Sequence, residues 1–205
     1  MKKQILQIFH SLIGKDRKPD GKTGDYNPYA GFHHGADPAE PDHIAGKDVS
    51  EPVKMVDRKA FERLVNESLG SGREHGGLLI GDVDRFRDIN NIYGRDTGDE
   101  VLQHVADVLC DVFGGHARIG SRGSDIFALW LPEMSGDHAD AMRRLTGIVN
   151  DRLLHPTGEL PPLSLSVGVS FYERGDDCRS LVKKANKALY IVKGSGRCGC
   201  EFYYD

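Results

Sequence analysis

Apolar residues recur at helical spacing at Phe61, Leu64, Val65 and Leu69, which predicts a helix from about Asp57. Leu78-Leu79-Ile80 then run into Gly81-Asp82-Val83-Asp84, a buried strand that ends in acid. Thr97 with Glu100 three residues on reads as a capping box. Val101, Leu102, Val105, Val108, Leu109 and Val112 follow as a helix stripe. Ala117 to Gly120 and Phe127 to Leu131 read as a strand pair, the second closed by Pro132. Ala141, Met142, Leu145, Ile148, Val149 and Leu153 give the next helix. Leu163, Leu165, Val167 and Val169 alternate with Ser164, Ser166, Gly168 and Ser170, the pattern of a half-buried strand. Leu181, Ala185, Ala188, Leu189 and Val192 mark a last helix, and Glu201 to Tyr204 a final strand. This order predicts an α/β sandwich with one sheet face covered by helices.

The first quarter of the chain reads differently. Ile5, Leu6, Ile8, Phe9, Leu12 and Ile13 predict a short amphipathic helix over residues 1–13. So short a helix is marginal alone and needs the body of the protein, a second chain or another surface to pack on. Residues 14–52 hold five of the nine prolines and six glycines, the composition of a flexible arm or linker. His33-His34 and His43 have no acidic or cysteine partner at ligand spacing, so no metal is expected there. The regular domain is expected over residues 53–205.

Composition narrows the function classes. Thirty-one acidic against 27 basic residues give a formal charge of -4, so no global basic field invites nucleic acid. No apolar run approaches a membrane span, and the start Met1-Lys2-Lys3 does not lead into a signal peptide. Four cysteines in 205 residues are not a disulfide scaffold; a reducing, cytoplasmic setting is expected.

The acidic strand end carries the chemistry. Asp82 and Asp84, two apart, share a face of an extended strand, and two unpaired carboxylates repel. A divalent cation would remove that conflict and bridge phosphate oxygens; a solvated strand terminus is the plain alternative. Gly123-Ser124-Asp125 is a polar turn leading into Ile126-Phe127-Ala128-Leu129-Trp130. If the two strands are neighbours, Asp125 can face Asp82 across one cation.

The run Asp82-Val83-Asp84-Arg85-Phe86-Arg87-Asp88-Ile89-Asn90-Asn91-Ile92-Tyr93-Gly94-Arg95-Asp96-Thr97-Gly98-Asp99 resembles the DxDxFKxINDxxGHxxGD pattern of the GGDEF domains of diguanylate cyclases. Ser166 to Val169, and Ala185 to Tyr190 with Lys193, Gly196 and Arg197, resemble two further segments of that family. The resemblance covers about residues 57–201. It implies a ferredoxin-like palm of the nucleotidyl cyclase and polymerase kind, with a central, largely antiparallel sheet. It also implies condensation of two GTP into cyclic di-GMP, one GTP held by each subunit of a facing homodimer. By the same resemblance, Asp82, the Val83 carbonyl and Asp125 would hold Mg²⁺ or Mn²⁺, with Asp82 and Asp125 catalytic. Asn90 and Asp99 would read guanine. Lys193, Arg197 and the backbone at Phe86 and Arg87 would hold phosphates.

The signature itself departs from the family, reading Gly-Ser-Asp-Ile-Phe over 123–127. Ser124 replaces the second glycine, and Ile126 replaces a glutamate with a side chain that neither ligates metal nor accepts a proton. Gly114 and Ala117 stand where the family's feedback-inhibition motif has Arg and Asp, so product inhibition at that site is not expected. The expected function is therefore a degenerate GGDEF domain that binds GTP or a related guanine nucleotide, with weak or no turnover, in signalling. An active diguanylate cyclase and a non-catalytic module for a signalling partner protein are the alternatives.

Several residues have plainer readings. Cys198-x-Cys200 lacks the usual two-residue gap of a metal or redox pair, and Cys110 and Trp130 belong to apolar stripes. His104, Arg143-Arg144 and Lys183-Lys184 are expected on solvated helix faces. Lys187 could extend the positive field of Lys193, and Tyr203-Tyr204 could close a sheet edge.

Overall fold

A computed structural model of the protein describes residues 55–204 apart from 73 and 122–124. The helix expected over 1–13, the arm over 14–52 and the signature residues Gly123-Ser124 lie outside the described residues. The elements run α1 (Arg58–Gly70), β1 (Gly77–Val83), α2 (Phe86–Tyr93), α3 (Arg95–Phe113), β2 (Arg118–Ser121), β3 (Ile126–Leu131), a 3₁₀ turn (Gly136–His138), α4 (Ala139–Leu154), β4 (Leu165–Phe171), α5 (Cys178–Gly194) and β5 (Cys200–Phe202).

The five strands lie in the order β2-β3-β1-β4-β5. Strand β1 is central and antiparallel to both β3 and β4; only the β4–β5 pair is parallel. This is the largely antiparallel palm sheet that the resemblance implies. Val56 adds an isolated parallel bridge to Gly120 at the β2 edge.

Strand periodicity divides the core in two. Leu78 and Ile80 point to the face packed by Phe61 and Val65 of α1 and by Leu181, Ala185 and Leu189 of α5. Leu79 and Val83 point to the other face, against Val101, Val105 and Leu109 of α3 and Met142, Leu145 and Val149 of α4. Helices therefore cover both faces of the sheet, not one as the pattern predicts. The reason lies in β4, whose serine positions are buried with the rest of the strand. Ser170 Oγ donates to the Leu181 carbonyl of α5 at 2.9 Å, so a polar residue sits in the core with its hydrogen bond made. Gly168 lets α5 come this close: a Cβ there would lie 2.1 Å from the Ala185 carbonyl oxygen.

The helix ends also differ from expectation. Gly94, at φ 90°, separates α2 from α3, and α2 is a helix that the apolar pattern does not predict. The capping box at Thr97 does not form, because the helix already starts at Arg95; Thr97 Oγ1 donates back to the Tyr93 carbonyl instead. Asp57 caps α1 through the Ala60 amide, and Asp177 with Ser180 forms a capping box on α5. Lys184, one turn further along α5, bonds Glu173 and Asp176. Burial opposes its charge, yet these two carboxylates hold its pKa well above the ordinary lysine value.

Arg143 is not simply surface. Its guanidinium donates to the Cys200 carbonyl at 3.0 Å and lies 4.7 Å over the Phe202 ring, fastening β5 to α4. His104 is half-buried rather than solvated, with Nε2 lacking a hydrogen-bond partner among the described residues. Trp130 is buried as expected, and its indole N–H reaches Ser68 Oγ at 3.1 Å. Tyr203 continues past β5, its amide bonded to the Val169 carbonyl, which fits the edge-closing role read from the sequence.

Candidate functional site

Strand β1 delivers Asp82 on the α1/α5 face, two positions beyond Ile80. Its cross-strand partners are Ile126 on β3 and Ser166 on β4. Residues paired directly across an antiparallel ladder put their side chains on the same face, with Cβ atoms about 5 Å apart. Ile126, half-buried against the α1/α5 core, and buried Ser166 thus flank Asp82 on its two sides. The Val83 amide donates to the Asp125 carbonyl at 3.0 Å, which sets Asp125 opposite Val83 at the mouth of the same pair of strands.

Lys193, in the last turn of α5, reaches Asp82 Oδ2 at 2.7 Å. Burial pushes the Asp82 pKa above its ordinary 3.8; Lys193 opposes the shift, and the Asp125 and Asp84 carboxylates add to it. Asp84 and Asp125 thus act on Asp82, although Asp125 sits opposite Val83, one position off the Asp82–Ile126 pair. Asp84 follows the strand and is buried, held by Ser164, Ser166 and the Cys198 amide, with Arg197 3.9 Å away. Both cations expected to hold phosphates thus stand beside carboxylates of the β1 end. Lys187 does not join them: it lies over the Tyr203 ring, 4.9 Å from the centroid.

Helix α2 starts two residues beyond Asp84. Arg85 precedes it in the left-handed region, at φ 56°, and its side chain makes no capping hydrogen bond. The Phe86 and Arg87 amides at such an end have no intrahelical acceptor and suit an anion. Phe86 is buried and Arg87 exposed. Asn90 lies one turn beyond Phe86, about 6 Å along the axis. A Cβ on Gly98 would lie 2.0 Å from Asn90 Oδ1 and 3.5 Å from the Phe86 ring, so Asn90 rests on the first turns of α3. Asp99, exposed, is the next residue along that helix. The expected site residues fall into two groups, Asp82, Val83 and Asp125 with Lys193 and Arg197, and Asn90 with Asp99, joined by α2.

A cavity of about 580 Å³ opens on another side of α2, between it and residues 161–164. Asp84, Arg85 and Arg197 line it, but Asp82, Asn90 and Asp99 do not. What sequence reasoning missed is Asp84 as a hydrogen-bonded hub; the alternating serines of β4 were the available signal.

Among the described residues no three His, Cys, Asp or Glu side chains gather as a metal cage. Two carboxylates and a backbone carbonyl at a strand end still suit Mg²⁺, which keeps waters and takes one or two protein carboxylates with substrate phosphates. Cys198 and Cys200 do not form such a site either. Cys198 is exposed, whereas burial pushes the Cys200 thiol up to about 11.

Among the described residues no helix is long and apolar enough to cross a membrane. The family description "Diguanylate cyclase, GGDEF domain" matches residues 54–198. Diguanylate cyclase DosC of Escherichia coli K12 is 30% identical over 166 residues, covering 78% of this chain and 36% of DosC. The chain thus spans little more than a third of that relative's length. The active GGEEF domain of a diguanylate cyclase from Vibrio cholerae superposes with a TM-score of 0.67 at 25% identity, over 74% of this chain and 99% of that one. Diguanylate cyclase SiaD of Pseudomonas aeruginosa, solved with its activator SiaC, gives 0.64 at 27% identity, over 71% of this chain and 58% of SiaD. With its palm sheet, its acidic β1 end and a match over most of its length, this chain belongs to the GGDEF diguanylate cyclase family.

Proposed function

We propose that the domain binds GTP or a related guanine nucleotide with Mg²⁺ or Mn²⁺ and turns it over weakly or not at all, serving cyclic di-GMP signalling through a partner protein. The observation that carries this reading is the pairing of Asp82 with Ile126. The β3 side chain paired with the candidate metal carboxylate has no oxygen to offer, while every residue read as holding base or phosphate is present. Asn90 offers both donor and acceptor to a base edge, and Asp99 an acceptor for ring N–H and amino groups. Lys193, Arg197 and the α2 N-terminus supply positive potential for a triphosphate. Asp82, Asp125 and the Val83 carbonyl would hold the cation, which would offset triphosphate charge.

Positioning contacts and transition-state contacts are separate contributions, so affinity can survive the loss of turnover. A complex such as SiaD with SiaC supports a protein partner for a domain of this fold. Calorimetric titration with GTP and Mg²⁺ tests the reading. Saturable binding is expected, and Asn90→Ala or Asp99→Ala should weaken it by about tenfold or more, the loss of a hydrogen bond or two to the base. No binding at millimolar GTP would leave only a protein–protein module.

A further inference from the structure

Among the described residues, three residues other than glycine have positive φ: Arg85 at 56°, Arg197 at 68° and Cys198 at 52°. Each costs roughly 1–2 kcal/mol for an L-residue and persists only where the surroundings impose it. Two of them, Arg197 and Cys198, meet the side chain of Asp84, and the third follows it in the chain. Asp84 precedes Arg85 directly. Its Oδ2 accepts from the Cys198 amide at 3.1 Å and from Ser164 Oγ at 2.7 Å. Its Oδ1 accepts from Ser166 Oγ at 2.7 Å and lies 3.9 Å from Arg197 Nε. The Asp84 amide in turn donates to the Ser164 carbonyl at 2.9 Å. The residue is 7% exposed and Ser166 is fully buried, so these bonds form in a setting of low dielectric.

We propose that Asp84 is a positioning residue that locks two strained turns, β1–α2 at Arg85 and α5–β5 at Arg197–Cys198, and thereby sets Arg197 at the phosphate end of the site. The proposal rests on the nucleotide reading above for its ligand, though not for its geometry. Asp84 is not a second metal carboxylate. Three hydrogen-bond donors and a guanidinium already occupy it, whereas Asp82 pairs with Lys193 and has Asp125 nearby. An asparagine at 84 would keep the shape but turn an NH₂ group toward hydroxyl and amide donors, and would drop the charge facing Arg197.

The test uses the full chain and two readouts. In the first, GTP·Mg²⁺ and guanosine are titrated into wild type, Asp84→Asn, Arg197→Ala and the double variant. Asp84→Asn should weaken GTP about tenfold and leave guanosine unchanged, and the double variant should lose no more than Arg197→Ala alone. Equal loss for guanosine and GTP, or additive losses in the double variant, overturns the proposal. In the second, iodoacetamide labelling of Cys198 is followed by peptide mass spectrometry. The exposed thiol should label several-fold faster in Asp84→Asn, because its turn is released; an unchanged rate overturns the locking role. This arm needs no nucleotide, so a wild type that fails to bind GTP defeats the functional reading and leaves the lock to be decided by labelling. If Asp84→Asn does not fold, Ser166→Ala removes one of the three donors. It should give a smaller acceleration in the same direction, and none at all would count against the lock.

Discussion

At the scale of single residues, Asp82 shows what the site costs the fold. Its pKa in the folded chain is raised, first by burial and then by Asp125 and Asp84, despite Lys193. A carboxyl with a raised folded value contributes stability that is complete below its unfolded value and is lost as pH rises through the folded value. At neutral pH, ionised Asp82 is therefore a net cost. Asp82→Asn keeps the shape and removes the charge, so its thermal midpoint should exceed that of wild type at pH 7. The gap should close as the pH is lowered below about 4, where both side chains are neutral. Differential scanning calorimetry across that range checks it. A variant less stable at pH 7 would mean that the Lys193 pair outweighs burial. The acids themselves were legible, because carboxylates closing an apolar strand stand out. Their partners were not: Lys193 lies 111 positions further along the chain, and a single sequence carries no sign of that pairing.

At the scale of elements, helix α5 holds the site together, and a glycine decides where it sits. A Cβ at Gly168 would meet the Ala185 carbonyl oxygen at 2.1 Å and the Leu189 amide nitrogen at 2.4 Å, both backbone atoms that cannot rotate away. Gly168→Ala should push α5 off β4 and cost about 1–3 kcal/mol, the usual range for overpacking. Since Lys193 lies in the last turn of α5, which leads into Arg197, the same change should weaken GTP. Thermal denaturation with calorimetric titration reads both; a variant with wild-type stability would show that the helix has room the geometry does not suggest. The sequence gives β4 as half-buried because serine reads as a solvent-facing residue. Ser166 and Ser170 instead spend their hydroxyls on Asp84 and on the α5 backbone. Helix α2 was missed for a related reason: eight residues with two buried apolar side chains, Phe86 and Ile89, make too short a stripe to see.

At the scale of the whole molecule, the motif run from Asp82 to Asp99 made the palm fold legible, and the strand register then shows what the altered signature position 126 faces. The register places Ile126 beside Asp82, so Ile126→Glu would set a second carboxylate next to the first. On the proposed function one domain presents one nucleotide site, and by the family's chemistry two must face each other before a cyclic dinucleotide can form. If loss of that acid limits turnover, wild type incubated with GTP and Mg²⁺ should give little or no cyclic di-GMP, and Ile126→Glu should give a detectable yield by nucleotide chromatography. At low protein concentration its rate should rise with the square of concentration, as expected for a reaction between two chains. Ile126 is half-buried against the α1/α5 core, so the new side chain carries a burial cost of about 1–3 kcal/mol. Ile126→Gln carries a similar cost without the charge, and its failure to gain turnover would separate the carboxylate from mere loosening. Abundant cyclic di-GMP from wild type would show that Asp82 and Asp125 suffice. A folded Ile126→Glu that binds GTP and stays silent would move the defect to Ser124 or to the meeting of the two chains.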